Sequence, residues 1–337
     1  MRESGVNPII VDAGDLFFST KKIGSENRNS EEFRARAILE GYQKIGCDAM
    51  NIGHYEMLNG LSFLKNLSKQ TSIPFLSANL KDASDEQLIF KPYIIVQRED
   101  IKIGIIGVTN MLPDTSKKII ADNYIESGNF YAEKLSKEVD LIIALVNADR
   151  ASQGELVELM PQVDFIVTSG STNMSRPNSP QKEGGPYLYS CGKQGKYLIS
   201  LDVDIKDRNK PFIDVTAEQS NINSINKRFE RLQKKDPKKS LEEIYSDQKN
   251  VLNLIKQYRS ELKASESRVA SAVNTLKLMA FPLGKKVKDD VELLAFVNDK
   301  VKTCNALNPK KTAEAKKISN NKSTKIKNKD SHAGHNH

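Results

Sequence analysis

Short runs of branched aliphatic residues alternate with stretches of helical period from Ile9 to about residue 216, and that alternation restricts this part of the chain to an α/β fold. The run NPIIVDAGD predicts a short buried strand at Ile9, Ile10 and Val11 that ends at a glycine. Phe33, Ile38, Tyr42 and Ile45 share one face of a helix over 30–45, with Ser30 as its N-cap. Strands are expected at 49–52 and 73–79, with the helical GLSFLKNLSKQ between them. YIIVQ at 93–97 and IKIGIIGVT at 101–109 flank Arg98-Glu99-Asp100, which reads as a hairpin turn. Helices at 128–138 and 152–160 then alternate with strands at 140–146 and 163–169. After a Ser/Pro/Asn/Gly loop at 171–186, strands follow near 187–190, 196–205 and 212–216. Helix-separated strands pair in parallel and hairpins do not, so a mixed sheet is expected.

Beyond residue 218 the pattern changes. Residues 219–267 are strongly charged, and Leu241, Ile244, Val251, Ile255, Tyr258 and Leu262 recur at steps that place them on one helical stripe. Pro237 separates a first helix carrying Phe229 and Leu232 from a second, which predicts a helical hairpin or short coiled-coil arm. The stripe suits either self-association through 241–262 or packing on the chain's own domain. Residues 268–304 read as a returning strand and a closing helix. The expected units are therefore 1–218, 219–267, 268–304 and a tail at 305–337.

The net charge of +8 is concentrated at the end of the chain. Residues 305–337 hold eight lysines against Glu314 and Asp330, leaving +2 for the 304 residues before them. The basic balance thus describes a tail and gives no ground for reading the folded part as a nucleic-acid binder. The tail is Lys/Asn/Ser-rich with few large apolar residues, a composition that predicts disorder. It suits contact with anionic lipid, nucleic acid or teichoic-type polymers, although a solubilising role is the simpler reading. No apolar run reaches the length of a transmembrane helix. No signal peptide is visible after Met1, as though the chain begins inside a domain. Cys47, Cys191 and Cys304 are odd in number and widely spaced, which excludes a disulfide framework and a structural zinc site; Cys47 reads as a buried thiol.

In open α/β sheets the loops at the carboxyl ends of the strands converge, and reactive groups collect there. Four loops qualify: Asp12-Ala13-Gly14-Asp15, Gly53-His54-Tyr55-Glu56, Asn147-Ala148-Asp149 and Ser169-Gly170-Ser171-Thr172. An Asp, a His and an Asn brought together are donors suited to one divalent Mg, Mn or Zn ion, with Glu56 or Asp149 nearby and waters completing the shell. The bland alternatives are a turn at Gly14-Asp15, a helix cap at Glu56 and a hydrogen-bonded structural histidine. No GxGxxG or P-loop is present, and Ser171 and Thr172 have no histidine to serve as base.

In their order, VDAGDLFFS, GCDAMNIGHYEM, PFLSANL, IKIGIIGVTN, DLIIALVNAD, VDFIVTSGST and SCGKQGKYLISLDVDI resemble segments of the calcineurin-like metallophosphoesterases, and within them the bacterial 5′-nucleotidase and UDP-sugar hydrolase family. The resemblance covers about residues 5–216. It implies a mixed β-sandwich flanked by helices, two metal ions that activate water for attack on phosphorus, a nucleotide or other phosphate ester as substrate, and a place in the periplasm or cell envelope. Such a centre uses an Asp-x-His strand, a bridging Asp, an Asn with an adjacent His acid, a lone His and a Gly-His-x-His pair. The first strand would precede Met1, so the expected fold lacks it. The bridging Asp is Asp15, His54 stands at the Asn position, and Tyr55 replaces the acid. Asn147 stands for the lone His, and Gly170-Ser171-Thr172 keeps neither imidazole of the pair.

The chain has four histidines, and three of them, His332, His335 and His337, form the terminal HAGHNH. A domain with His54 alone cannot supply a site that calls for about five imidazoles. The tail histidines could chelate Ni, Cu or Zn as a flexible peptide, or be an incidental polar terminus. Two functions remain open. One is a divergent phosphoesterase in which Asp15, His54 and Asn147 hold a remnant metal and Tyr55 orients a phosphate oxygen. The other, favoured by the residues, is a binding or scaffold protein that holds no metal and acts through the cleft or the arm.

Overall fold

The structure is a computed structural model that describes residues 5–114, 117–177, 179, 181–193 and 195–308. The tail prediction and the three tail histidines lie outside these residues. The chain begins with β1 (Val11–Asp12), α1 (Arg28–Ile45), β2 (Ala49–Asn51), α2 (Leu61–Ser68), β3 (Phe75–Leu76) and β4 (Leu80–Asp82). It continues through β5 (Tyr93–Arg98), β6 (Ile101–Thr109), β7 (Ile119–Ala121), α3 (Tyr124–Leu135), β8 (Leu141–Asn147), α4 (Leu156–Leu159), β9 (Phe165–Ser169) and β10 (Tyr187–Tyr189). The last part holds β11 (Tyr197–Asp204), β12 (Phe212–Asp214), α5 (Thr216–Gln233), α6 (Leu241–Ile244), α7 (Lys249–Ser271), β13 (Asn274–Pro282) and α8 (Val291–Ala306).

Among the described residues there are four sheets, the two-stranded β4-β7 and three that carry the centre of the fold. β1-β2-β3 is parallel, and β10-β9-β8-β6-β5 is parallel except for the β5–β6 hairpin, so the mixed pairing expected from the sequence is present. The third sheet has the order β11-β13-β12. Ile105, Leu145, Phe165 and Tyr187 of the five-stranded sheet share one core with Leu76, Leu276 and Leu278 of the other two, which makes the centre a sandwich of sheet faces. The opposite face of the five-stranded sheet packs through Ile106, Val108, Ala144 and Ile166 on α3 and α4 residues such as Ala132, Leu135 and Leu156. The third core, with Phe17, Leu39, Met50, Leu64 and Phe75, lies under α1 and α2.

Several boundaries move for local reasons. The first helix begins at Arg28, not at Ser30, because the chain turns at Gly24, whose N–H bonds Asn27 Oδ1 at 2.7 Å. Ser30 lies inside the first turn, where its hydroxyl donates to the Asn27 carbonyl at 2.9 Å. α3 starts at Tyr124 and not near 128, because the Asn123 side chain accepts from the N–H groups of Ile125 and Glu126. The helix expected at 152–160 divides into a 3₁₀ turn at Ser152–Gly154 and the short α4.

The arm is a helical hairpin. α7 returns along α5 through Phe229 packed on Tyr258, an Arg228–Tyr258 hydrogen bond of 2.6 Å and an Asn221–Ser265 hydrogen bond of 3.0 Å. Leu241 and Ile255 of the sequence stripe are buried and Tyr258 faces α5, so this part of the stripe is used within the chain. α8 then lies on α1, held by a 2.7 Å Lys300–Glu40 ion pair and by Lys44 over the Phe296 ring. Among the described residues, no helix is long and apolar enough to cross a membrane.

Candidate functional site

The four loops singled out in the sequence do meet at one edge of the sandwich. Asp15 follows β1, His54 and Tyr55 follow β2, Asn147 ends β8, and Ser169 ends β9. Gly14 has φ +99° and Gly53 is buried beside it; a Cβ on Gly14 would lie 2.9 Å from the Gly53 nitrogen, so the β1 and β2 loops touch backbone to backbone. A Cβ on Gly53 would in turn meet Asn147 Cγ at 2.8 Å and Asp15 Oδ1 at 2.9 Å.

At this edge most donor atoms are occupied by the protein itself. Asp15 Oδ1 accepts the Tyr55 N–H at 3.0 Å, and Asp15 holds a left-handed backbone with φ 69°. Asn147 Oδ1 accepts both the His54 N–H and the Thr109 hydroxyl at 3.0 Å, while Asn147 Nδ2 donates to Ser169 Oγ at 2.8 Å. Ser169 passes the chain on to the Ala13 carbonyl at 2.7 Å. His54 therefore approaches Asn147 through its main chain, and its ring stacks edge-on against Tyr55.

Glu56 is completely buried and accepts four backbone N–H groups: Asp15 at 2.8 Å, Leu16 at 2.7 Å, Phe17 at 3.2 Å and Gly53 at 3.0 Å. Burial and the neighbouring Asp15 charge push its carboxyl up to about 7 against the pull of those donors. Asp149 has the opposite environment. It caps the next turn, accepting from Ala151 and Ser152 N–H, Ser152 Oγ and Asn110 Nδ2, and these bonds hold its carboxyl below the ordinary value. Tyr55 is raised by burial and by Asp15, so its phenol gives up a proton even less readily than a free one.

Sequence reasoning placed Ser169 and Asp12 in the converging loops without giving them a role, and it missed Thr109 and the contact between Asp12 and Tyr42. The Tyr42 hydroxyl donates to Asp12 at 2.9 Å, and burial raises the Asp12 carboxyl. Only the strand-end position of Thr109 and Ser169 could have suggested them, because their partners are far away in sequence.

No family model matches the chain. Among curated proteins it is 28% identical over 232 residues to Protein UshA of Salmonella pullorum, covering 58% of this chain and 42% of that protein. It is 36% identical over 211 residues to Protein UshA of Escherichia coli (strain K12), and 29% identical over 211 residues to the 5′-nucleotidase of Vibrio cholerae serotype O1, covering in each case 51% of this chain and 38% of the relative. The calcineurin-like phosphoesterase YfkN of Bacillus subtilis superposes with a TM-score of 0.56 at 15% identity, covering 88% of this chain and 83% of that one. The chain is a relative of the 5′-nucleotidases with a calcineurin-like phosphoesterase fold. It spans about two fifths of the length of the curated relatives it matches.

For this 5′-nucleotidase relative the question is whether its donors fit the metal centre that the resemblance implies. Both lone pairs of Asn147 Oδ1 accept protein hydrogen bonds, and both Glu56 oxygens serve backbone N–H groups. Asp149 is committed to its turn. Asp12 is held by the Gly14 N–H and the Tyr42 hydroxyl, which leaves, among the described residues of these loops, the second Asp15 oxygen and the His54 imidazole, two ligands where a catalytic ion is ordinarily held by three. Among the described residues, no group of three or more His, Cys, Asp or Glu side chains is placed to hold a metal. This donor set does not fit a two-metal centre.

Proposed function

We propose that this chain is a 5′-nucleotidase-like domain, related to hydrolases of nucleotide phosphate esters, in which two-metal catalysis is weak or lost. The supporting observation is what the donors at the strand edge already hold: Asn147 Oδ1, both Glu56 oxygens and both Asp149 oxygens accept hydrogen bonds from loop N–H groups and side chains. On this reading residues 1–218 with 268–304 form the phosphoesterase-like body, since β13 completes a sheet with β11 and β12, and 219–267 form the arm. A place in the cell envelope follows from the relationship to the family.

The alternative is a non-catalytic binding or scaffold protein of the envelope, acting through the same cleft or the arm. One experiment separates the two. The full chain is stripped of metal, reloaded with Mn²⁺ or Zn²⁺, and assayed on p-nitrophenyl phosphate and nucleotides. His332→Ala/His335→Ala/His337→Ala removes tail-bound metal from the count. The expected result is turnover barely above the metal-free rate and little metal outside the tail. Robust turnover that Asp15→Asn abolishes would overturn the proposal.

A further inference from the structure

At the end of the β11–β13 ladder the surface changes character. Ten consecutive residues, Phe281 to Asp290, are all exposed, an unusual run for a segment that opens with FPLG. Leu198 and Phe281 are directly opposed across the strands, on the face away from the core, because Ile199, Leu201 and Leu278 point inward. The ladder extends one step further, with Leu283 N–H bonded to the Lys196 carbonyl at 2.9 Å, so alternation keeps Leu283 on the same face as Phe281. The chain then turns back, with Val287 N–H bonded to the Gly284 carbonyl at 2.9 Å. Leu198, Leu283 and Val287 are each about half exposed, at 49%, 50% and 49%.

The charges around these side chains are predominantly positive, five lysines against two aspartates. Lys193 and Lys196 lead into β11, and Lys285, Lys286 and Lys288 follow β13, all of them exposed. Asp289 and Asp290 close the segment, and the Asp290 side chain accepts the Leu293 N–H as the N-cap of α8. Among the described residues none of the five lysines has an ion-pair partner. Large apolar side chains at the tip of a rigid ladder, ringed by unpaired lysines, present the combination that settles at a headgroup boundary: apolar groups enter the interface and ammonium groups meet anionic phosphates. A second copy of the tip would bring like charges together, which disfavours self-pairing.

We propose that this tip docks the protein on a membrane surface bearing anionic lipid headgroups, independently of its Lys-rich tail. The test is co-sedimentation of the full chain with phosphatidylcholine vesicles, with and without phosphatidylglycerol. Binding is expected only with phosphatidylglycerol. Lys285→Gln/Lys286→Gln should weaken it by about 25-fold, roughly fivefold for each lysine. Phe281→Ser/Leu283→Ser should weaken it by about tenfold or more through the apolar contact. Because all four positions are exposed, the unfolding midpoints should match the parent's, and the two double variants test the surface separately. A third variant changes the eight tail lysines to Gln and should retain binding that still depends on the tip. The proposal is overturned if both tip variants bind like the parent or if the tail variant alone abolishes binding. It is equally overturned if the parent ignores phosphatidylglycerol, or if sedimentation shows a dimer that Phe281→Ser/Leu283→Ser dissolves.

Discussion

Replacing Glu56 tests the organisation of the strand edge most directly. Its carboxylate joins the β1 loop to the β2 loop by accepting from Asp15, Leu16, Phe17 and Gly53. Below about pH 7 the buried group is the neutral acid, whose hydrogen bonds contribute about 0.5–1.5 kcal/mol each, and a buried donor left unpaired costs about 1–3 kcal/mol. In Glu56→Ala the Asp15 and Leu16 N–H groups, only partly buried, regain water, while those of Phe17 and Gly53 are left inside. The expected loss is about 3–5 kcal/mol. Glu56→Gln preserves the shape and, like the protonated acid, turns one donor toward two N–H groups, so at pH 5 it should lie within about 1 kcal/mol of the parent. The pH dependence supplies an independent check. Between the ordinary carboxyl value of 4.5 and about 7 the folded protein keeps a proton that the unfolded chain has released. Raising the pH through that window therefore costs the parent stability, by as much as roughly 3 kcal/mol, and Gln, which does not titrate, escapes the cost. Urea unfolding of parent, Ala and Gln variants across pH 5–8 reads both effects. An Ala variant within 1 kcal/mol of the parent at pH 5, or a Gln variant that gains nothing on the parent as pH rises, would refute the reasoning.

Three further outcomes follow from the packing. Gly53→Ala puts a methyl group 2.8 Å from Asn147 Cγ and should cost about 1–3 kcal/mol in chemical denaturation, more than an Ala substitution at the open Gly154. Asn274 is buried, accepts from Lys206 and Asp207 N–H, and donates to the Asp207 and Lys210 carbonyls; Asn274→Ala should destabilise by about 2–4 kcal/mol and speed amide exchange in the 205–211 loop. Asn123→Ala removes the cap of α3 and should lower stability by about 1 kcal/mol, visible as a modest fall in melting temperature.

What could be read from the sequence was mostly what neighbouring residues decide. The β5–β6 hairpin follows from two apolar runs on either side of a two-residue turn, with Glu99 taking the left-handed conformation. The helical hairpin beyond 216 follows from Phe229, Ile255 and Tyr258 at helical spacing on either side of Pro237. The short β4 and β7 escaped notice because three residues carry no period, and each strand exists only through the other. The site divides in the same way. That Asp15, His54 and Asn147 come together was legible, because strand ends converge. That Glu56 and Asn147 serve the backbone was not, since partners 40 and 93 residues away leave no local trace.

The position of β13 bears on how the protein is made. β11 and β12 are close in sequence, yet neither pairs with the other; the strand between them arrives only after the whole arm, with Leu201 opposite Leu278 and Ile213 opposite Thr275. A ribosome must therefore deliver residue 282 before this sheet has its middle, and until then two strands wait with open edges. The α5–α7 hairpin shortens the wait. By folding on itself it brings the ends of the long connection together, so the closing strand searches a small volume and not the reach of a free chain. Weakening the arm's Phe229–Tyr258 contact should therefore slow completion of the sheet far from the arm's own tip.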